Sequence, residues 1–423
     1  MMNSPAAPRR FLFLQGVATL FFDRLGRRLA GLGHCVHRIN FNAGDRLFWS
    51  LPGAVDYRDR PEAWPTFFES CLKVWNITDI VLFGDWRPMH AQAISIASWR
   101  GLRVHVFEEG YLRPYWITLE RGGVNRNSTL PRDPDWYRAQ VAGLPAWRQP
   151  APIHGDFLPR AAMDVGYHVW RWLMSWRFPN YQSHLPVSPF REYRGWIGRF
   201  LRRGSQRRRR ARVLQALGGR RFFLYPLQLD TDSQMRLHSE FGRQQRAIAA
   251  VLQSFACHAP SGATLLLKEH PLDPQIEDWA GIAAGLAASL GIAGRVLYLR
   301  GGDIASLMPD CRGMVTVNST SGMQALECNV PVLALGRPIY DMPGLTFQQG
   351  LDRFWKEAAP PDGALFDAFR RVVVRDTQIH GSFYCSAGVR LAVDGAVERL
   401  TGMPAFCASA YRGAPLAAAG KAG

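Results

Sequence analysis

Three short polar clusters interrupt otherwise apolar runs, and each could do chemistry. "VFEEGYLRP" ends in two adjacent carboxylates, Glu108 and Glu109, followed by Gly110 and Arg113. Like charges this close raise each other's proton affinity, and neither is desolvated cheaply. Such a pair either sits at a solvated strand end or performs acid–base or nucleophilic work. "LLLKEHPLDP" places Lys268 and His270 before Pro271. Lysine would meet a phosphate as a point charge, and histidine as a hydrogen-bond donor or proton source for a leaving group; the alternative is a plain turn. "TVNSTSGMQALE" runs through Asn318, Ser319, Thr320, Ser321 and Gly322 to Glu327. Hydroxyls and backbone N–H groups at a helix start make an anion site, though one hydroxyl alone would be an ordinary cap. Glu327, about two turns on, is a candidate for a ribose diol.

The elements that must position these residues read as buried strands alternating with helices. Apolar runs end in Gly, Asp or polar clusters at 11–16, 36–42, 79–85 and 104–110, and again at 221–228, 263–271, 295–302, 313–322 and 331–336. Helical spacing fills Leu20 to Leu32 and His90 to Trp99. The expected fold is α/β, with two Rossmann-like domains facing a cleft in the manner of a GT-B glycosyltransferase. Ligands in such sheets bind at the carboxyl ends of strands, where every quoted cluster lies. The first half adds Gln15, Gly16 and Asp85 there, and the second adds Gln228. The first turn lacks GxGxxG, which argues against a dinucleotide cofactor. The triplet Asp230-Thr231-Asp232 is read as incidental, so neither metal nor cofactor is expected.

The expected segmentation is 1–155 for an acceptor and catalytic domain, and 156–215 for a basic helical insertion. A nucleotide-sugar domain is expected over 216–355, then C-terminal helices over 356–410 that cross back to the first domain, and a disordered tail over 411–423. Residues 160–221 hold fifteen arginines and four tryptophans against two acids, and the whole chain carries +17. Trp170, Trp172 and Trp176 with Arg207, Arg208, Arg209 and Arg210 suit a helix at the surface of an anionic membrane, with rings at headgroup depth. A solvated basic linker is the alternative. No nucleic-acid recognition module is present. The longest apolar stretch, 281–294, is too short to span a bilayer. Seven dispersed cysteines point to reduced thiols in the cytoplasm.

Beyond these readings, "GHCVHRINFNAGDRLFW", "DIVLFGDWRPMHAQAI", "VFEEGYLRPYWITLERGGVN" and "LPRDPDWY" resemble the KpsS-type capsule polysaccharide proteins. The resemblance runs from about Phe11 to about Tyr384. "KEHP" and "NSTSG" are similar to that family's nucleotide-binding half and to sialyltransferases that use CMP-sugars. The resemblance implies a β-Kdo transferase of Gram-negative capsule assembly, acting on a phosphatidylglycerol-type lipid and retaining the β configuration. It implies CMP-Kdo as donor, peripheral attachment to the cytoplasmic face of the inner membrane, and other capsule synthesis and export proteins as partners. Glu109 matches the family's nucleophile position. Glu108 or Asp85 would then handle the acceptor proton, and Arg113 would hold a substrate carboxylate or phosphate. Related two-module Kdo transferases carry Glu-Asp-Gly where this chain has Glu108-Glu109-Gly110, which leaves the division of roles within the pair open. A non-catalytic adaptor of the export complex is the competing reading.

Overall fold

The computed structural model describes residues 7–155, 157–183, 189–229 and 241–402. The 230–232 triplet and the tail from 411 lie outside the described residues. The chain forms two compact units: residues 1–124, 146–182 and 374–423, and residues 125–145 with 183–373.

Unit 1 is built on strands β1 (Arg10–Phe13), β2 (Cys35–Asn40), β3 (Ala54–Asp56), β4 (Asp79–Phe83), β5 (Arg103–Glu109) and β6 (Trp116–Arg121), with β12 (Gln378–His380) returning from the far end of the chain. Their order is β12-β6-β5-β4-β1-β2-β3. β5 through β3 run parallel; β6 is antiparallel to β5, and β12 to β6. Five parallel strands in this order are the Rossmann arrangement, with the switch point between β1 and β4. Both faces are buried, which is why the strands read as continuous apolar runs. Phe11, Phe13, Val81 and Phe107 face the helices Phe21–Gly31 and Ser386–Thr401. Leu12, Leu14, Ile80, Leu82 and Val106 face Trp64–Val74 and Pro88–Trp99.

The closing helix is fastened at the opposite edge from the strand ends that matter for ligands. Asp79, fully buried at the start of β4, accepts from Arg103 Nε at 2.8 Å and Thr78 Oγ1 at 2.7 Å, lies 2.8 Å from His105 Nε2, and is bonded by Arg9. Arg9 also donates to the carbonyl of Leu400 in the last helix.

Unit 2 repeats the arrangement with β7 (Phe222–Pro226), β8 (Leu265–Lys268), β9 (Val296–Leu299), β10 (Cys311–Thr316) and β11 (Val332–Ala334). The order is β11-β10-β7-β8-β9, all parallel, so its switch point lies between β7 and β10. Phe223, Tyr225, Leu265, Leu267 and Val315 meet helices Gln244–His258 and Trp279–Ser289 in its core.

The units draw their boundaries at other residues than 155, 215 and 355. Residues 125–145 belong to unit 2, tied there by Arg138 to Asp362 at 2.8 Å and by Tyr137 against Phe369. The basic segment is not one insertion. Helix Phe157–Leu173 belongs to unit 1, where the Tyr167 hydroxyl donates to Asp45 Oδ1 at 3.0 Å. Helices Pro189–Leu201 and Arg203–Leu217 belong to unit 2, where Gln206 donates to Gln275 at 2.9 Å and a methyl at Gly195 would strike the Pro274 carbonyl. Among the described residues, no helix is long and apolar enough to cross a membrane.

Candidate functional site

In unit 1, the carboxyl ends of the parallel strands gather Gln15, Gly16, Asp85, Glu108 and Glu109. Alternation along β5 sends neighbouring side chains to opposite faces. Glu109 follows Phe107, and its Oε1 accepts from the Tyr384 hydroxyl. The Arg160 guanidinium lies 3.8 Å from the Tyr384 ring centroid. Burial, then the Glu109 carboxylate, pushes the Tyr384 phenol well above its ordinary range, so it remains a donor. Glu108 turns to the other face. Its Oε1 accepts from the Glu109 amide at 3.0 Å, and its Oε2 lies toward Gly84, in the turn after β4. Gly110 lets the chain turn at once, since a methyl there would enter the Trp116 carbonyl.

Asp85 is buried, and its Oδ2 accepts from the Val124 amide at 2.9 Å, fixing the segment after β6. This is a positioning role that spacing alone did not suggest. Gln15 Nε2 donates to Asp45 at 3.0 Å and to the Tyr167 hydroxyl at 3.0 Å, so it anchors helix Phe157–Leu173 to the strand end. The space beside Gly16 is filled by Phe22. Arg113 is exposed on the β5–β6 connection, its Nε 3.4 Å from the Gly110 carbonyl.

In unit 2, the strand ends gather Gln228, Lys268, His270 and the Asn318–Gly322 turn. Gln228 Oε1 accepts from the Asn318 amide at 2.9 Å, joining β7 to β10 across the switch point. Lys268 closes β8 and is buried, Nζ 3.3 Å from the Glu269 carbonyl; burial lowers its pKa. His270 Nδ1 accepts from the Leu272 amide at 3.1 Å, which in the neutral ring puts the proton on Nε2. Pro271 ends the strand extension and is exposed.

The hydroxyl cluster differs from a bare helix start. The Ser321 amide is held by Ser319 Oγ at 3.1 Å and the Gly322 amide by the Ser319 carbonyl at 3.1 Å, while Thr320 makes no side-chain cap. The helix Ser321–Glu327 has seven residues, so its dipole is short. What the turn offers an anion is hydroxyl groups, with Ser321 Oγ 2.7 Å from Ser319 Oγ. Gly322 is required because a side chain would collide with the Tyr340 hydroxyl. Glu327 is corrected: it stands at the far end of that helix, exposed and paired with Arg370 at 3.2 Å, away from the strand ends.

A buried charge cluster behind Lys268 was not foreseen. Glu269 accepts from Gln275 at 2.8 Å and lies 3.6 Å from Arg300 and 3.9 Å from Arg199; burial raises its pKa. Arg199 comes from the basic segment, so part of that charge is structural. The tryptophans expected at a membrane are exposed: Trp172 by 61% and Trp176 by 71%, beside Val165, Val169 and Leu173 at helical spacing; Trp170 is 37% exposed. Arg207 to Arg210 are exposed on helix Arg203–Leu217.

Two Rossmann-like α/β units, each with polar side chains concentrated at its switch point, define the class as a nucleotide-fold protein. The chain belongs to the Capsule polysaccharide biosynthesis protein family, which it matches over residues 78–384. The capsule polysaccharide modification protein LipB of Neisseria meningitidis serogroup B is 36% identical over 392 residues, covering 91% of this chain and 94% of that protein. The capsule polysaccharide export protein KpsS of Escherichia coli is 34% identical over 384 residues, covering 89% and 97%. Among solved structures, the β-Kdo 2,7 transferase KpsC of Thermosulfurimonas dismutans superposes with a TM-score of 0.45 at 13% identity, covering 93% of this chain and 100% of that one.

Proposed function

We propose that the protein is a retaining glycosyltransferase that moves Kdo from CMP-β-Kdo to a phosphatidylglycerol-type lipid, beginning the linker on which a capsular polysaccharide is built. The observation that carries the reading is Glu109 at the end of β5, aimed at one face and held there by the Tyr384 hydroxyl. A carboxylate held by a neutral hydrogen-bond donor keeps its direction, which is what a nucleophile in a double displacement needs.

On this reading Glu109 attacks the anomeric carbon while the bond to the cytidylate phosphate breaks, its electron pair leaving with the phosphate. The lipid hydroxyl then attacks the same carbon, expels Glu109 and restores the β configuration, its proton passing to Glu108 or Asp85. Each of these two acids has one oxygen engaged by a backbone amide, Asp85 by Val124 and Glu108 by Glu109, and the other would receive the proton. In unit 2, Lys268, His270 through Nε2–H and the Ser319 and Ser321 hydroxyls would hold the departing phosphate, electrostatic work of a few kcal/mol. The reaction as written requires no metal or cofactor from the protein.

The exposed face of Val165, Val169, Trp172, Leu173 and Trp176 supports attachment to the inner membrane from the cytoplasmic side, where lipid acceptor and other capsule proteins would be met. The deciding experiment combines purified protein, CMP-Kdo generated in situ and a fluorescent lysophosphatidylglycerol, with a mass readout. Addition of one or more Kdo units supports the reading. Binding of CMP without any product would favour a non-catalytic adaptor of capsule export.

A further inference from the structure

Unit 1 buries two arginines that have no carboxylate partner among the described residues. Arg38, on β2, is 2% exposed, and Arg87, just before helix Pro88–Trp99, is 9% exposed. Taking a guanidinium out of water without a counter-charge is costly, so such a pair marks a place where an anion is meant to arrive. Their hydrogen bonds are few. Arg38 Nε donates to Asn40 Oδ1 at 3.1 Å, and Arg87 Nη1 to the Gly16 carbonyl at 3.2 Å. Among the described residues, Arg87 Nε has no hydrogen-bond partner, nor has Nε2 of the neighbouring, buried His90. Among the described residues, no carboxylate reaches ion-pair distance of either guanidinium.

The carboxylate that acts most on Arg38, ahead of Asp23, is already hydrogen-bonded. Asp45 receives Gln15 Nε2 at 3.0 Å, the Tyr167 hydroxyl at 3.0 Å and the Phe41 amide at 3.0 Å. Burial lowers the pKa of Arg38; Asp45 and Tyr167 oppose this, and Arg87 adds to it, so the two cations feel one another.

Packing places the pair on the same face as Glu109. Arg38 lies 5.1 Å from the Trp49 ring centroid and 6.0 Å from that of Phe22, and Phe22 is 5.7 Å from Phe107. Arg87 lies 5.6 Å from the Phe83 ring, which packs 5.4 Å from Phe383. Glu109 stands two residues beyond Phe107, and Tyr384 is next to Phe383. Both arginines thus stand on the aromatic face of the sheet that carries Phe107 and Phe383, the face toward which Glu109 turns.

We propose that Arg38 and Arg87 form an oxyanion-binding subsite on the sheet face that carries Glu109, holding a carboxylate or phosphate of one of the two substrates. The inference rests on the transferase reading above. In a 2-keto acid sugar the carboxylate is bonded to the anomeric carbon, so attack by Glu109 would bring two anions together. Guanidinium groups on the same face would offset that repulsion and orient the sugar through charge-assisted hydrogen bonds. A lipid phosphate presents the same chemistry to the same donors.

The test is calorimetric titration of the full-length protein and its Arg87→Gln, Arg87→Lys and Arg38→Gln variants with free Kdo, glycerol 1-phosphate and CMP. Binding of either anion by the wild type, weakened about tenfold or more in Arg87→Gln with CMP affinity unchanged, is the expected result. The anion that responds names the source: Kdo the sugar carboxylate, glycerol 1-phosphate the lipid. Arg87→Lys should restore part of the affinity, since it returns charge without the planar fork. Anion affinities that are unchanged in the variants, or no anion binding at tens of millimolar by a wild type that binds CMP, overturn the subsite. Loss of CMP binding by the wild type would instead count against the transferase reading, while the two anion arms still judge the arginines. Should Arg38→Gln fail to fold, the Arg87 variants decide alone.

Discussion

Tyr384 donates its phenolic hydroxyl to Oε1 of Glu109 across 275 residues of chain. The acid is thereby aimed by a group that the local sequence around it does not contain. Glu109→Gln should abolish Kdo transfer while leaving CMP binding and the melting temperature within the wild-type range. Intact-mass spectrometry of the wild type under single turnover should show a sugar adduct that the variant lacks. Wild-type rates in Glu109→Gln would end the nucleophile assignment.

Tyr384→Phe removes one hydrogen bond and keeps the ring under Arg160. The expected loss in kcat is about tenfold to a hundredfold, with KM for the donor little changed. Because burial and the neighbouring carboxylate raise its pKa, Tyr384 stays neutral through the alkaline range. The wild-type rate profile should therefore show no limb from this phenol below pH 10. A limb near pH 10 that vanishes in Tyr384→Phe would contradict the geometry.

For the nucleotide side, His270→Ala should weaken CMP binding about tenfold by calorimetry, since it removes the Nε2–H that the neutral ring would offer a phosphate. Gly322→Ala should cost about 1–3 kcal/mol of stability through collision with the Tyr340 hydroxyl, and should disturb CMP binding with it. Unchanged affinity in His270→Ala would reduce the His-Pro sequence to a turn.

Asp79 governs stability rather than reaction. Burial alone would raise its pKa, but hydrogen bonds from Arg103, His105, Arg9 and Thr78 outweigh burial and hold the carboxyl well below its usual range. Asp79→Ala leaves three basic groups facing an empty buried site and should cost about 3–5 kcal/mol in urea denaturation at pH 7. The folded value lies below the unfolded one, near 3.9. The contribution is therefore complete above that value and fades as pH falls toward the folded pKa. The gap between wild type and variant should narrow below about pH 4; a gap constant down to pH 3 would argue against the charge as its source.

Flotation with vesicles containing anionic lipid should retain the wild type and release a Trp172→Ala, Leu173→Ala, Trp176→Ala variant. Neutralising Arg207 to Arg210 should weaken retention more at low salt than at high salt. Indifference to both changes would return the basic segment to the role of a solvated surface.

Much of both sheets is legible in the sequence because strands buried on two faces must be apolar throughout. Runs such as "DIVLF" and "LLLK" announce themselves, and so do the polar residues that end them. The missing pieces have a shared physical cause. β12 has three residues and gains its identity only by pairing with β6, far away in sequence. Tyr384, Arg38 and Tyr167 act through partners that folding alone brings near, and an arginine within "CVHRIN" looks like any solvent-facing strand residue. Glu327 misled for a related reason: its distance along the chain from Ser321 resembled a reach, while the helix between them turned it into a separation.

The return of residues 374–402 to complete unit 1 bears on how the molecule is made. Unit 2 is fully translated before β12 and the last helix leave the ribosome, so the second lobe can finish folding while the first still waits with an open sheet edge and an unguided Glu109. On the transferase reading, a nascent chain could hold its nucleotide in unit 2 before that final segment docks, yet would still lack an aimed nucleophile in unit 1.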